Sequence, residues 1–258
     1  MKEIHRLVVK VGTSSLTYPT GNINYRQLSS LCAVLSDIAN SGVQIVLVSS
    51  GAIAVGVGKI GLDGRPKDVA KRQALAAIGQ SELMALYDRE FSQYFRKISQ
   101  VLLTKDDIEN EERKKYLLDA FEALFQYHAI PIVNENDTVS VEEILHGDND
   151  CLSAEVAALI DADALVICSD IEGLYTTDPR TNEDARLIRE VLEITPEIEA
   201  MAGGTGNEQG TGGMLTKINA AKIATSAGVD TYITSSKDFS FLYDLLEGKG
   251  AGTLFHGR

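Results

Sequence analysis

Six short apolar runs, separated by amphipathic stretches, constrain the fold of this chain more than any other feature. Each run is apolar nearly throughout, as is typical of strands that are buried on both faces of a parallel sheet. The runs are residues 6–11, 43–49, 99–104, 130–134, 164–169 and 229–234. Helical patterns lie between them, for example over 28–39 and 116–125. This alternation predicts an α/β fold: a three-layer α/β/α sandwich around a central, mostly parallel sheet.

Length and composition favour a single globular domain over residues 1–258. The chain has 258 residues, of which 44% are hydrophobic, and this is enough to bury a large core. A formal net charge of −13 disfavours a nucleic-acid surface, because phosphate contacts need clustered Lys and Arg. We therefore expect no nucleic-acid partner.

The sequence also predicts a cytoplasmic protein without a membrane partner. Its N-terminus, MKEIHRLVV, lacks the apolar core of a signal peptide. Its apolar runs are shorter than the roughly 18 residues that a membrane helix needs. The cysteines Cys32, Cys151 and Cys168 are odd in number and lack CxxC spacing, which indicates neither a disulfide framework nor a zinc site.

Polar residues and glycines follow the predicted strands, at the edge where open sheets bind ligands. Ser50 and Gly51 join a strand to a helix-like run, where free backbone N–H groups bind anions, although simple Ser capping is the alternative. Asn134 and Asp137 flank the end of another strand. Ser169 ends a third and Asp170 follows it, in a turn-rich segment that is either a surface loop or a nucleotide contact.

Two lysines lie where a phosphate could bind. Lys10 interrupts the apolar run LVVKVG, and either its ammonium pairs with an anion or its stem snorkels to the surface. Lys217 ends the glycine-rich segment 203–217, which either presents amides to phosphate or is merely a flexible loop. That segment is not a Walker A loop, because Thr216 stands where a glycine is required.

Two further motifs have competing interpretations. Residues 56–61 spell GxGxxG, but six residues separate them from the preceding strand, so a nicotinamide-binding oxidoreductase is only weakly indicated. In HGDNDCLSA, residues 146–154, the trio Asp148, Asn149 and Asp150 precedes a helical run. Capping by Asp150 with Ser153 nearby would explain one acid but not the trio.

Taken together, these stretches resemble the amino acid kinase family. The matching segments run in the family's order from residue 6 to about 222, and the closing GTLFHGR also matches. They are LVVKVGTSSL, VSSGAIAVG, IVNENDTV, HGDNDCLSA, SDIEGLYTTDP and GTGGMLTK. The motifs SSGAIA, NEND and GDND resemble those of the family members that phosphorylate glutamate.

The resemblance implies ATP-dependent phosphorylation of the γ-carboxylate of L-glutamate, the first step of proline biosynthesis. It implies ATP over the C-terminal half of the chain, glutamate over the N-terminal half, and Mg²⁺ bridging the ATP phosphates. The substrate-binding residues would be Ser50, Gly51, Asn134, Asp137, Asp148 and Asn149. The ATP-binding residues would be Lys10, Ser169, Asp170, Thr211, Gly212, Gly213, Met214, Leu215, Thr216 and Lys217. No protein residue is predicted to be a metal ligand.

The resemblance places Lys10 and Lys217 on the transferring phosphoryl group. Because two ammonium groups near one oxygen repel each other, Asp150 is predicted to hold both from behind, so that these three residues form the catalytic set. An ionised carboxylate needs no general base. Neutralisation and alignment would therefore supply most of the catalysis.

The resemblance leaves other expectations and alternatives open. It implies a homo-oligomer, either a dimer or a tetramer, and transfer of the labile acyl phosphate to a glutamyl phosphate reductase. Many family members carry a further C-terminal domain, and we expect a form without it because this chain ends at Arg258. The alternatives are another small-acid kinase of the acetylglutamate or aspartate type, and a non-catalytic ligand-binding module on the same fold.

Overall fold

A single sheet of eight strands organises the computed structural model, which describes residues 3–18, 20–140, 149–203 and 213–258. The strands are β1 (Arg6–Val11), β2 (Gln44–Ser49), β3 (Lys97–Leu103), β4 (Ala129–Glu135), β5 (Ala164–Ser169), β6 (Glu190–Val191), β7 (Asp230–Ser235) and β8 (Thr253–Phe255). Their order across the sheet is β3-β4-β2-β1-β5-β7-β8-β6. Among the described strands named here, β7 and β8 are the only pair that runs antiparallel. The predicted mostly parallel sheet is confirmed.

Helices cover both faces of this sheet. They are α1 (Thr13–Leu16), α2 (Tyr25–Asn40), α3 (Ala52–Ile60), α4 (Val69–Ser92), α5 (Lys105–Glu109), α6 (Glu111–Gln126), α7 (Asp150–Leu159), α8 (Pro196–Gly203), α9 (Met214–Ser226) and α10 (Phe241–Leu246). Among the described helices, none combines the length and apolar character needed to span a bilayer.

The side chains of β1 point alternately into two hydrophobic cores, one on each face of the sheet. Val9 points into a core that contains buried side chains of α2, α4 and α10, whereas Val8 points into a core shared with α6, α7 and α9. Successive residues of a strand face opposite sides of the sheet, so a strand covered on both sides must be apolar throughout. The three-layer sandwich predicted from the continuous apolar runs is confirmed.

The predicted strands agree with the structure to within two residues at each end, but two short strands were not predicted. β6 and β8 have two and three residues, too few to give a periodic signal. They extend the C-terminal side of the sheet, and β8 supplies its antiparallel pairing.

The glycines of the GxGxxG segment serve helix packing. Gly56 and Gly58 lie inside α3, and Gly61 ends that helix in the left-handed region with φ 77°. A Cβ on Gly56 would overlap the backbone of Leu75 in α4, and one on Gly79 would overlap the carbonyl oxygen of Ala52 in α3. The two helices therefore touch backbone to backbone, and these glycines do not form a turn for a dinucleotide.

The strand order separates the two halves of the chain around β1. β2, β3 and β4 lie on one side of it, and β5 to β8 lie on the other. The carboxyl ends of β1, β2, β4, β5 and β7 share one edge because these strands run parallel. Ligands bind at such an edge where the strand order reverses, so a site is expected beyond the end of β1.

Candidate active site

Three charged side chains meet beyond the end of β1, and we call them the lysine centre: Lys10, Lys217 and Asp150. Lys10 Nζ lies 2.5 Å from Asp150 Oδ1, and Lys217 Nζ lies 2.9 Å from Asp150 Oδ2. The exposed fractions of the three residues are only 5%, 6% and 0%. The snorkelling alternative for Lys10 is therefore wrong. Charges buried to this degree are tolerated because they are paired.

Each member of the lysine centre comes from a different element. Lys10 is near the end of β1, Asp150 is the first residue of α7, and Lys217 lies in the first turn of α9. A carboxylate at a helix N-terminus is favourable because the helix dipole places positive charge there. Thr216 Oγ1 adds a hydrogen bond of 2.9 Å to Asp150 Oδ2.

The capping interpretation of Asp150 is wrong in one respect. Asn149 is the N-cap of α7 and makes no side-chain capping hydrogen bond. Ser153 does lie close, but its hydroxyl donates to the Asp150 backbone carbonyl at 2.6 Å. The Asp150 carboxylate is thus turned towards the two lysines and Thr216.

A buried chain of side-chain amides extends from Asn149 to the side of β1 that holds β2 and β4, where the substrate-binding residues were predicted and which we call the acceptor side. Asn149 Nδ2 donates to Asn134 Oδ1 at 2.6 Å and to Ser50 Oγ at 3.1 Å. Asn134 Nδ2 in turn donates to Gln80 Oε1 at 3.0 Å. This chain fixes which way each amide faces and leaves the fully buried Asn149 Oδ1 without a hydrogen-bond partner among the described residues. A ligand donor would satisfy that oxygen.

Gln80 was not among the residues predicted from the sequence. It lies on the buried face of α4, next to the tightly packed Gly79. The available signal was a polar residue within the apolar stripe of a helix, LAAIGQ, but that helix was not itself predicted.

Asp137 is a second buried carboxylate on the acceptor side. Its exposed fraction is 5%, and its Oδ1 has no hydrogen-bond partner within the described ranges. Burial, followed by the charge of Glu135, raises the pKa of Asp137 to about 6, although the guanidinium groups of Arg65 and Arg72 counteract this rise. Unlike Asp150, this carboxylate has no ion pair with a described residue.

The turn after β2 is shaped by Gly51. This residue is the N-cap of α3 and has φ 106°, a conformation that glycine adopts without strain. No side chain caps the helix, so the alternative of simple Ser capping is wrong. The Ser50 hydroxyl instead accepts from Asn149, and no described side chain caps the first N–H groups of α3.

Outside the lysine centre, the described residues among those predicted to bind ATP lie on the other side of β1, where β5 and β7 are. Ser169 ends β5, and its hydroxyl donates to the exposed Asp170 at 3.1 Å. Neither residue hydrogen-bonds to the lysine centre within the described part of the chain. Gly213 is the N-cap of α9 without a side-chain capping bond, and Met214, Leu215 and Thr216 form its first turn. Asp148, Thr211 and Gly212 lie outside the described residues.

Two solved structures that share this architecture are a carbamate kinase and a UMP kinase. Carbamate kinase from Giardia lamblia bound to AMP-PNP matches with a TM-score of 0.70 at 17% identity, over 97% of this chain and 98% of that one. UMP kinase from Bacillus anthracis matches with a TM-score of 0.64 at 14% identity, over 99% and 97%. These matches define the class of fold.

The chain belongs to the amino acid kinase family, whose model matches residues 5–235. It is 50% identical to a glutamate 5-kinase of Clostridium perfringens, over 99% of this chain and 96% of that protein. It is also 50% identical to a glutamate 5-kinase of Carboxydothermus hydrogenoformans, over 100% of this chain but 69% of that protein.

Proposed function

We propose that this chain transfers the γ-phosphoryl group of ATP to the γ-carboxylate of L-glutamate, giving γ-glutamyl phosphate and ADP. A carboxylate oxygen forms a bond to the γ-phosphorus, and the bond from that phosphorus to the bridging β–γ oxygen breaks with its electron pair leaving on ADP. No proton moves, because the carboxylate is already ionised near neutral pH. The names of the relatives support this reaction and its place in proline biosynthesis.

One observation carries the proposal: Lys10 and Lys217 converge on opposite oxygens of Asp150. Two ammonium groups and one carboxylate leave an excess of one positive charge among these three side chains. Their position between the acceptor-side and the nucleotide-side residues suits a phosphoryl group in transit. Asp150 would be a positioning residue, because it acts through the two lysines.

The barrier that such a centre must lower is electrostatic. At roughly 3.5 Å and an effective dielectric constant near 20, two unit negative charges repel each other by about 5 kcal/mol. A carboxylate that approaches a triphosphate meets more than one such repulsion. Preorganised cations lower the barrier without reorganising during the reaction, which is why buried, paired lysines are suitable.

The acceptor side offers complementary groups for the amino acid. Asp137 would accept hydrogen bonds from the α-ammonium group, and the free oxygen of Asn149 would accept another. Ser50, Gly51, Asn134 and Asp148 complete the proposed substrate set. An acylated amino group could not pair with Asp137 in this way, so the site favours a free amino acid over an acetylated one.

On the nucleotide side, backbone N–H groups at the N-terminus of a helix would bind the phosphates of ATP. The uncapped first turn of α9, with Gly213, Met214, Leu215 and Thr216, faces the phosphates in this proposal, together with Thr211 and Gly212. Ser169 and Asp170 would contact the rest of ATP, and Lys10 and Lys217 would contact its γ-phosphate.

We infer that a magnesium ion would arrive with the nucleotide. In the described ranges, no group of three or more His, Cys, Asp or Glu side chains could hold a metal ion. Mg²⁺ is commonly held by phosphates with few protein ligands, and there it neutralises charge on the phosphates. We assign no protein residue to it.

The wider setting follows from the same proposal. An acyl phosphate is labile, so a glutamyl phosphate reductase would receive it directly. We also infer a single domain over 1–258, a homo-oligomer that is a dimer or a tetramer, and a cytoplasmic location, which is consistent with three cysteines that are odd in number and lack CxxC spacing.

The test is ATP turnover with a panel of acceptors. Purified protein is given Mg-ATP with L-glutamate, N-acetyl-L-glutamate or L-aspartate, and hydroxylamine traps any acyl phosphate as a hydroxamate. Of the three acids, we expect only L-glutamate to give ADP and hydroxamate, and in equal amounts. Preference for another acid would overturn the acceptor, and binding without ADP release would indicate a non-catalytic module.

A further inference from the structure

A guanidinium group without an ion pair lies beside the acceptor side of the site. Arg72 is in the first turn of α4 and is partly buried. Its Nε is buried without a hydrogen-bond partner, and Arg72 makes no ion pair with any described residue. A buried donor of this kind is unfavourable unless a ligand or water satisfies it.

The register of α4 directs Arg72 towards the site. Residues 72, 76 and 80 are four apart and therefore share one face of the helix. Gln80, about 12 Å along the axis from Arg72, contacts Asn134 of the amide chain. Next to Arg72, Gln73 Nε2 donates to the Thr138 carbonyl at 3.3 Å, so the first turn of α4 adjoins the Asp137 segment.

Arg72 and Asp137 are neighbours of opposite charge that do not pair. The charge of Arg65, followed by that of Arg72, lowers the pKa of Asp137 against the effect of burial, so both guanidinium groups lie within electrostatic range of this carboxylate. Yet Asp137 Oδ1 and Arg72 Nε each lack a hydrogen-bond partner among the described residues. Two such groups complement a ligand that carries both charges.

We propose that Arg72 binds the α-carboxylate of the amino-acid acceptor while Asp137 binds its α-ammonium group. This inference rests on the proposed function and adds a specificity-determining residue to it. In an α-amino acid the two charged groups are attached to one carbon, which suits two protein groups of opposite charge on adjoining segments. Arginine pairs with carboxylates through two parallel N–H bonds, a geometry that lysine cannot reproduce.

The consequence is selectivity for a free α-carboxylate. The α-amide of L-glutamate keeps the γ-carboxylate and the α-ammonium group, but it removes the charge that Arg72 would bind. The wild-type protein should therefore use L-glutamate far better than its α-amide, and Arg72 should be the cause.

The experiment compares L-glutamate with its α-amide in the ADP-release assay, for the wild type, Arg72→Gln, Arg72→Lys and Lys71→Gln. In Arg72→Gln we expect the KM for L-glutamate to rise about 10- to 100-fold with kcat little changed, because a charged hydrogen bond is lost. The preference for the acid over the α-amide should nearly disappear in this variant. Arg72→Lys should retain part of the preference.

Lys71→Gln is the matched control, since Lys71 is exposed on the same helical turn and the change removes the same charge. It should leave both KM values and the acid preference unchanged. An unchanged acid preference in Arg72→Gln, or an equal loss in Lys71→Gln, would overturn the assignment of Arg72. If the wild type phosphorylates neither compound, the proposed function itself fails, and that outcome is distinct. Comparing two acceptors within one variant also separates recognition from partial unfolding.

Discussion

Asp150 and Asp137 are both buried, yet their surroundings differ in kind. Asp150 is fully buried and contacts two ammonium groups and a hydroxyl. Asp137 is 5% exposed, has no described cation in contact, and has a pKa raised to about 6. The first carboxylate is neutralised within the folded chain, whereas the second retains an unsatisfied oxygen that a ligand's ammonium group could occupy.

This difference shows that a buried carboxylate can either stabilise or destabilise the folded protein, depending on whether cations pair with it. A buried anion with paired cations becomes part of the fold, and removing it leaves those cations uncompensated. A buried anion without a cation destabilises the fold, and such a group persists where it has a role in binding. The two aspartates should therefore respond to the same substitution with opposite signs.

The largest effect is expected for Asp150→Asn. The isosteric amide cannot neutralise Lys10 and Lys217, so we expect the free energy of unfolding to fall by about 3 to 5 kcal/mol. We expect kcat to fall by about 10²- to 10³-fold, because the two ammonium groups lose their common anchor. Urea unfolding and steady-state kinetics would measure both quantities.

Glu109→Gln provides the control for this change. It removes a carboxylate from an exposed ion pair with Lys105, and exposed pairs contribute little to stability. A similar loss of stability in both variants would contradict the special role of Asp150.

The next largest effect is expected for Asp137→Asn, which should weaken the binding of glutamate but stabilise the folded protein. We expect the KM for L-glutamate to rise by about 10- to 100-fold as the α-ammonium loses its anion. The protein should nevertheless become more stable at pH 8, by about 1 to 3 kcal/mol. Thermal and urea unfolding at several pH values would measure this gain.

The sign follows from the raised pKa of Asp137. An ordinary carboxyl group has a pKa of 3.8, and that of Asp137 is about 6 in the folded protein. The folded state therefore binds this proton more tightly, and stability is lost as pH rises from about 4 through 6. The gain in Asp137→Asn should shrink towards pH 4. For the wild type, kcat/KM for glutamate should fall as pH drops through about 6, and an equal fall in Asp137→Asn would rule out Asp137 as the titrating group.

The smallest effect is expected for Gln80→Leu, which tests the amide chain that joins the two regions. Without Gln80 Oε1, the Asn134 amide group loses its acceptor and can turn, so Asn149 is less firmly oriented. We expect the KM for glutamate to rise by about 3- to 10-fold, with a smaller change in kcat.

Gln80→Glu keeps an acceptor oxygen at that position and should restore part of the affinity. A merely structural role for Gln80 would instead lower the melting temperature in both variants and leave the KM unchanged.

The architecture could be predicted from the sequence because it depends on long, repeated signals. β1 is apolar apart from Arg6 and Lys10, and β5 is apolar up to its last residue, and only a strand covered on both faces needs that pattern. The three-residue β8 gives no such signal, and its antiparallel pairing depends on the chain returning beside β7.

The site could be predicted only in part. Lys10 drew notice as a charge within an apolar strand. The family resemblance placed Lys10 and Lys217 on one phosphoryl group, and Asp150 was predicted to hold them because two ammonium groups there would repel each other. Gln80 and Arg72 were missed because their relevance depends on which face of α4 meets β4, and spacing within one helix does not reveal that. The missing partner of Asp137 is likewise a property of packing and not of local sequence.

The contact between α3 and α4 has a consequence for how this region tolerates change. α3 begins beside Gly51, and α4 carries Gln80 directly after Gly79, so a single methyl group at Gly79 would collide with Ala52 at the start of α3. With no side-chain layer between the two backbones, neither helix can slide along the other to absorb an insertion. The spacing of the acceptor side therefore depends on the absence of a Cβ atom at Gly56 and at Gly79. Substitutions of the side chains in this pocket should be tolerated much more readily than insertions that change the spacing of the two helices.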